Sequence, residues 1–141
     1  MFYLDTSVLV AALGREAATE RVHGWLAQQE AGSLAISPWV VTEFSSALSI
    51  KLRIGQIGLS WRAAALSEFR TLVDEACTVL PIEAAQFEAA ARLVDRHELG
   101  LRAGDALHLA VAAAHDAEVA TLDRRMADAG PALGVRARLV V

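Results

Sequence analysis

The chain has 141 residues, 55% of them hydrophobic, with 13 basic and 17 acidic side chains for a formal net charge of −4 at pH 7. That is the length of one domain, enough to bury roughly 68–70% of the unfolded surface, and the apolar content excludes a disordered chain. Apolar runs reach only six residues, Val8 to Leu13 and Leu109 to Ala114, against about 20 for a membrane-spanning helix, and the single cysteine, Cys77, excludes a disulfide framework or a Cys-rich zinc site.

The chain opens on Met1-Phe2-Tyr3-Leu4-Asp5, with no basic leader, so no signal peptide is expected and a cytoplasmic location is. Phe2-Tyr3-Leu4 is a short strand, and Asp5-Thr6-Ser7 suits the N-cap of a helix running to Leu13 and stopping at Gly14. Glu16 to Glu30 reads as an amphipathic helix with Val22, Trp25 and Leu26 inward. Leu34-Ala35-Ile36 is a second strand. Ser37 as cap, Pro38 at the first helical position and Gly55 past the end punctuate the next helix.

Ser60 to Glu75 is helical, Thr78-Val79-Leu80 is a strand closed by Pro81, and Glu83 to Glu98 is helical again. An alanine-rich helix follows from Gly104 to Ala114, then a strand from Glu118 to Thr121. A last helix spans Asp123 to Ala129, and a last strand Ala137 to Val141. With no repeat, low-complexity tract or linker, residues 1–141 are read as one domain. Strands alternating with helices imply an α/β sandwich, a parallel sheet of about five strands with helices on both faces. Sites in such sheets lie outside the carboxyl ends of the strands, at the switch point of strand order.

Four acids draw attention. Asp5 ends the first strand, and its plain reading is a helix N-cap. Glu43 sits in the row Val40, Glu43, Ala47, Ile50, Ile54, whose other members are all apolar. A carboxylate there either reaches solvent at the edge of the stripe or is partly buried, and an unpaired buried charge is costly. Asp105 opens the alanine-rich helix and Asp123 follows the fourth strand. Each is also a first-turn acid favoured by the helix dipole. Should the first and fourth strands be neighbours, Asp5 and Asp123 face each other across the switch point.

Like charges about 4 Å apart cost about 4 kcal/mol at an effective dielectric near 20, so four clustered acids call for protons or a cation. An all-oxygen set without cysteine or a histidine pair favours Mg²⁺ or Mn²⁺ over zinc. The chemistry this implies is phosphoryl transfer.

Tyr3-Leu4-Asp5-Thr6-Ser7-Val8-Leu9 and Ile36-Ser37-Pro38-Trp39-Val40-Val41-Thr42-Glu43-Phe44 resemble the first two motifs of PIN-domain ribonucleases. Leu101-Arg102-Ala103-Gly104-Asp105-Ala106-Leu107-His108-Leu109-Ala110 and Val119-Ala120-Thr121-Leu122-Asp123-Arg124-Arg125 resemble the third and fourth. Each motif is weak alone, but four in order over nearly the whole chain are specific. The most similar branch is the VapC toxins of bacterial toxin–antitoxin pairs.

This resemblance implies a PIN-like three-layer sandwich with strand order 3-2-1-4-5. It also implies Mg²⁺- or Mn²⁺-dependent RNA cleavage by Asp5, Glu43, Asp105 and Asp123. Asp5 and Asp105 would be the principal metal ligands. Glu43 and Asp123 would complete the shell, bind a second metal or orient water, and Thr6 or Thr121 would brace the carboxylates. A cognate small antitoxin and a homodimer are the partners the family implies. Leu122 stands where many relatives carry Asn or Arg, which bears on substrate contacts.

Arg102, Arg124 and Arg125 are candidate phosphate contacts, the last two favoured because they adjoin Asp123. Arg15, Lys51 and Arg53 are weaker candidates, and solvated surface cations are the plain reading of all six. His108, three residues beyond Asp105, either touches RNA, acts as an acid or simply packs, and packing is the simpler reading. Trp39, Phe44 and Cys77 read as core. Three competing functions are weighed against toxin ribonuclease. An aspartyl-phosphate hydrolase would need a second aspartate two positions after Asp5, where Ser7 stands. A housekeeping RNA-processing nuclease would use the same acids. A catalytically inactive interaction protein would be expected to have lost part of the acidic quartet.

Overall fold

The computed structural model describes residues 1–140. Five strands, β1 (Phe2–Leu4), β2 (Leu34–Ile36), β3 (Cys77–Val79), β4 (Glu118–Thr121) and β5 (Ala137–Leu139), form one sheet in the order β3-β2-β1-β4-β5. Every neighbouring pair is parallel. Seven α-helices lie between and around them: α1 (Thr6–Leu13), α2 (Thr19–Leu26), α3 (Pro38–Arg53), α4 (Leu59–Ala76), α5 (Ala84–Val94), α6 (Ala103–Ala114) and α7 (Arg124–Ala132). No helix among the described residues is long and apolar enough to cross a membrane.

The central strands carry almost unbroken apolar sequence because both faces are covered. Tyr3, Leu4, Ala35, Ile36, Val119 and Ala120 are all fully buried. Helix α1 packs on α2, α3 and α4, α5 packs on α6, and α7 packs on β4 and β5. Gly130 permits the last contact. A Cβ there would lie 2.6 Å from the Cβ of Ala137 and 2.9 Å from the carbonyl oxygen of Val135.

The sheet and its order match the α/β architecture expected from the sequence, and several boundaries move. The second helix shrinks from Glu16–Glu30 to Thr19–Leu26, because Thr19 Oγ1 accepts from Glu16 N and donates to the Ala11 carbonyl, tying the preceding turn back to α1. Helix α5 ends at Val94, and a 3₁₀ turn at His97–Leu99 leads into Gly100 with φ +65°. Helix α7 runs on to Ala132 through Pro131. In the last turn that proline forgoes one backbone donor and leaves the earlier turns intact. Of the expected strand Ala137–Val141, β5 covers Ala137–Leu139, and Val141 lies outside the described residues.

The apolar stripe of α3 is also different. Val40, Phe44 and Leu48 are buried, whereas Ile50 and Ile54 are exposed. The buried face follows the four-residue ridge from Val40, and Phe44 stacks on Phe69 of α4 with ring centroids 4.2 Å apart. Phe44 is therefore core as expected, while Trp39 is half-buried at its edge. Cys77 is half-buried, not enclosed, because it begins β3 at the sheet edge, and burial pushes its thiol up to about 11.

Candidate acidic site at the carboxyl edge of the sheet

Asp5 directly follows β1 and Asp123 lies just past β4, so the β1–β4 pairing brings both to one sheet edge. Asp5 is 3% exposed. Its Oδ1 accepts from Ser7 Oγ at 2.5 Å and from the Val8 amide at 3.3 Å, which caps α1. Its Oδ2 accepts from Thr121 Oγ1 at 2.7 Å. Burial pushes the Asp5 carboxyl above its ordinary pKa, against the lowering effect of these hydrogen bonds.

The same hydroxyls tie down the loop after β4. Leu122 N donates to Ser7 Oγ at 2.9 Å, and Asp123 N donates to Thr121 Oγ1 at 2.9 Å. Asp123 in turn caps α7, with Oδ1 accepting from the amides of Arg125 and Met126. The helix-cap readings of Asp5 and Asp123 thus describe real contacts, made within the shared edge.

Asp105 stands in the first turn of α6 and is half-buried. Burial raises its carboxyl pKa most, and the charges of Asp123 and Asp5 raise it further. The charges of two other acids at this edge therefore reach Asp105. Glu43, on the second turn of α3, is half-buried as well. Its Oε1 accepts from Thr6 Oγ1 at 2.8 Å and from His108 Nε2. Burial pushes this carboxyl up, but His108, by hydrogen bond and electrostatic attraction, and Thr6 outweigh it and hold the pKa below its ordinary value.

His108 is 2% exposed and is bonded at both ring nitrogens, which goes beyond simple packing. Its Nδ1 lies 2.8 Å from Tyr3 Oη, and Tyr3 Oη lies 2.7 Å from Ser37 Oγ. Ser37 makes no capping bond to α3, contrary to the expectation from its position. Its hydroxyl is turned to the buried tyrosine instead. Nothing in the sequence pattern separated Tyr3 from ordinary strand core, and only its hydroxyl, in a run otherwise apolar, could have hinted at a polar partner.

Gly104 closes the site on the α6 side. A Cβ at this position would sit 3.1 Å from Glu43 Oε2 and 3.3 Å from Trp39 Nε1. That indole nitrogen is buried with no hydrogen-bond partner among the described residues.

Among the candidate phosphate contacts, Arg102 precedes α6 and Arg124 and Arg125 open α7, all exposed around the acidic edge. Arg125 Nη1 donates to the Gly100 carbonyl at 3.2 Å. Lys51 is paired with Glu16 at 3.0 Å, and Arg15 lies 4.6 Å above the Trp61 ring, both lining a groove to which none of the four acids contributes.

Among the described residues no three acidic, histidine or cysteine side chains form a ready-made metal cage. Mg²⁺ does not require one, since it is commonly held by one or two carboxylates and keeps several waters. The donor set fits such an ion: it is all carboxylate oxygen, and Asp105 is raised by the charges of Asp123 and Asp5, which a cation would offset.

A family model for the PIN domain matches residues 2–130. The chain belongs to the PIN domain family. Its fold is similar to that of several solved structures. FitAB bound to a DNA fragment matches with a TM-score of 0.74 at 23% identity, over 99% of this chain and 94% of that one. VapC20 of Mycobacterium tuberculosis, a sarcin–ricin loop cleaving toxin, matches with a TM-score of 0.72 at 21% identity, over 92% and 95%. VapBC2 of Rickettsia felis, bound to a DNA fragment from its promoter, matches with a TM-score of 0.69 at 17% identity, over 99% and 98%. No curated protein matches this PIN-domain chain in sequence.

Proposed function

We propose that this PIN-domain chain is a Mg²⁺- or Mn²⁺-dependent endoribonuclease and the toxin of a toxin–antitoxin pair. The observation that carries the reading is the gathering of Asp5 and Asp123 at one sheet edge by the β1–β4 pairing, with their charges acting on the half-buried Asp105. Likeness in fold to a toxin that cleaves the sarcin–ricin loop supports the choice of RNA as substrate.

Asp5 and Asp105 would hold the metal, with Glu43 and Asp123 completing the set or orienting water. Thr121 and Thr6 brace Asp5 and Glu43 through the hydroxyl bonds described above. The ion, when bound, supplies an activated water and neutralises charge on the phosphodiester. Exposed Arg102, Arg124 and Arg125 would hold the flanking phosphates, where each guanidinium can pair bidentately with phosphate oxygens.

The partner would be a small antitoxin protein. A groove of about 600 Å³ between α1, α3 and α4, lined by Val10, Leu13, Leu48, Ile57 and Trp61 among others, offers an apolar bed for its folding segment. An arginine or lysine from that segment would enter the acidic edge in place of the cation. A homodimer is the assembly we expect in solution, checked by sedimentation.

RNA cleavage should require Mg²⁺ or Mn²⁺, stop with EDTA, and vanish in Asp5→Asn while far-UV circular dichroism is unchanged. Undiminished cleavage by that variant overturns the site. Expression of the chain alone should arrest growth, and co-expression of the antitoxin should relieve it. Harmless expression with genuine RNA cleavage would replace the toxin reading with a housekeeping RNA-processing nuclease.

A further inference from the structure

Five polar side chains from three separate stretches of the chain form one hydrogen-bonded line at the acidic edge. Ser37 precedes α3, Tyr3 is in β1, His108 is in α6, Glu43 is in α3 and Thr6 opens α1. The contacts run Ser37 Oγ to Tyr3 Oη at 2.7 Å, Tyr3 Oη to His108 Nδ1 at 2.8 Å, His108 Nε2 to Glu43 Oε1, and Thr6 Oγ1 to Glu43 Oε1 at 2.8 Å. Tyr3 and Ser37 are fully buried and His108 is 2% exposed. A buried network of this kind is costly unless every member is satisfied, and this one is.

The direction of the bonds follows from its end. An ionised carboxylate only accepts, so His108 must carry a proton on Nε2. That requirement holds whether or not the ring is charged. With Nε2 donating, Tyr3 at Nδ1 fixes the ring plane, and the ring has no freedom to turn its donor elsewhere. Glu43 then has Oε1 saturated by Thr6 and His108. Its Oε2 is turned toward the first turn of α6, where the absence of a Cβ at Gly104 leaves it room.

We propose that His108 is a positioning residue for Glu43, held by Tyr3 so that its Nε2–H fixes one carboxylate oxygen and leaves the other presented to the acidic edge. This rests on the proposed nuclease reading for its consequence in metal binding, though not for its geometry. Partners that orient a metal-binding carboxylate typically change metal affinity 10–100-fold when removed.

The test has two arms on the full chain. In the metal-free protein, long-range ¹H–¹⁵N correlation spectra should show the His108 proton on Nε2. A ring protonated on Nδ1 alone overturns the proposal. In the second arm, Mn²⁺ affinity is measured by electron paramagnetic resonance for wild type, His108→Leu, His108→Gln and Tyr3→Phe. His108→Leu should weaken Mn²⁺ binding about tenfold or more, and His108→Gln, which retains a donor near the Nε2 position, should recover most of it. Tyr3→Phe keeps the ring packing and the Nε2 proton that Glu43 requires, and should produce a smaller loss together with a more mobile His108 ring.

Lower melting temperatures with unaltered Mn²⁺ affinity would leave His108 a packing residue and overturn the positioning role. If His108→Leu does not fold, Tyr3→Phe carries the decision: a His108 ring as rigid as in wild type and unchanged Mn²⁺ affinity overturn it. Wild type that binds no Mn²⁺ and cuts no RNA, yet shows the Nε2 proton and a Glu43 side chain that becomes mobile in Tyr3→Phe, would instead sink the nuclease reading and leave the positioning intact.

Discussion

The hydroxyl of Thr121 donates to Asp5 at 2.7 Å and accepts from the backbone amide of Asp123 at 2.9 Å, so one side chain at the end of β4 holds two acids of the edge in place. Thr121 is fully buried, and so its bonds are not replaced by water when lost. Thr121→Val keeps the shape and deletes both bonds. It should destabilise the fold by about 1.5–3 kcal/mol, the range for a hydrogen bond to a charged group. Thr121→Ser should restore most of the loss. Urea denaturation of the three proteins checks this, and equal midpoints for Val and Thr would show that the bond contributes nothing.

Asp105 and Glu43 should give opposite pH dependences in the metal-free protein. The Asp105 pKa is raised, by burial first and then by Asp123 and Asp5. Its folded form therefore binds a proton more tightly than the unfolded chain. The stability this brings is complete below the ordinary carboxylate pKa, about 4, and is lost as pH rises through the raised value. Asp105→Asn should thus gain melting temperature over wild type as pH goes from acid to neutral.

Glu43 is lowered, because His108 and Thr6 outweigh burial. Its contribution is present above the ordinary carboxylate pKa and lost as pH falls through the lowered value. Glu43→Gln should therefore cost most at neutral pH and least in acid. Parallel melting curves for either variant and wild type across that range would contradict the assigned shifts.

Divalent cation should stabilise the native chain by mass action. Mn²⁺ at 100-fold over its dissociation constant should add about 2.7 kcal/mol to wild type. Asp105→Asn should respond much less at the same concentration. Differential scanning fluorimetry at several Mn²⁺ concentrations measures it, and a melting temperature indifferent to millimolar Mn²⁺ counts against a metal at this edge.

Gly104→Ala separates helix stability from site geometry. Alanine is better than glycine within a helix by about 0.8–1.0 kcal/mol. Yet the new methyl would stand 3.1 Å from Glu43 Oε2 and 3.3 Å from Trp39 Nε1, closer than ordinary contact. The variant should melt within a few degrees of wild type while losing about tenfold in Mn²⁺ affinity, the lower end for a displaced ligand partner. Wild-type affinity would mean that Glu43 can move aside freely.

Local signals in the sequence determined the strand–helix alternation, and with it the placement of Asp5 and Asp123 at strand ends. Short-range chemistry was enough there: Pro38 starts α3 and Gly55 follows its end at φ +78°, and the strand Glu118–Thr121 lies where its apolar run lies. The order β3-β2-β1-β4-β5 followed from the motif resemblance, not from the residues' periodicity. What the tertiary structure alone decided is which polar groups meet. Ser37, placed like a cap, bonds Tyr3 34 positions away, and His108 bonds Glu43 65 positions away. Ile50 and Ile54 fell outside the core for the same reason, since the α4 surface, with Phe69 against Phe44, selects the buried face of α3. Caps and periodicity act over a few residues, whereas a buried hydroxyl or imidazole takes the partner that packing brings within about 3 Å.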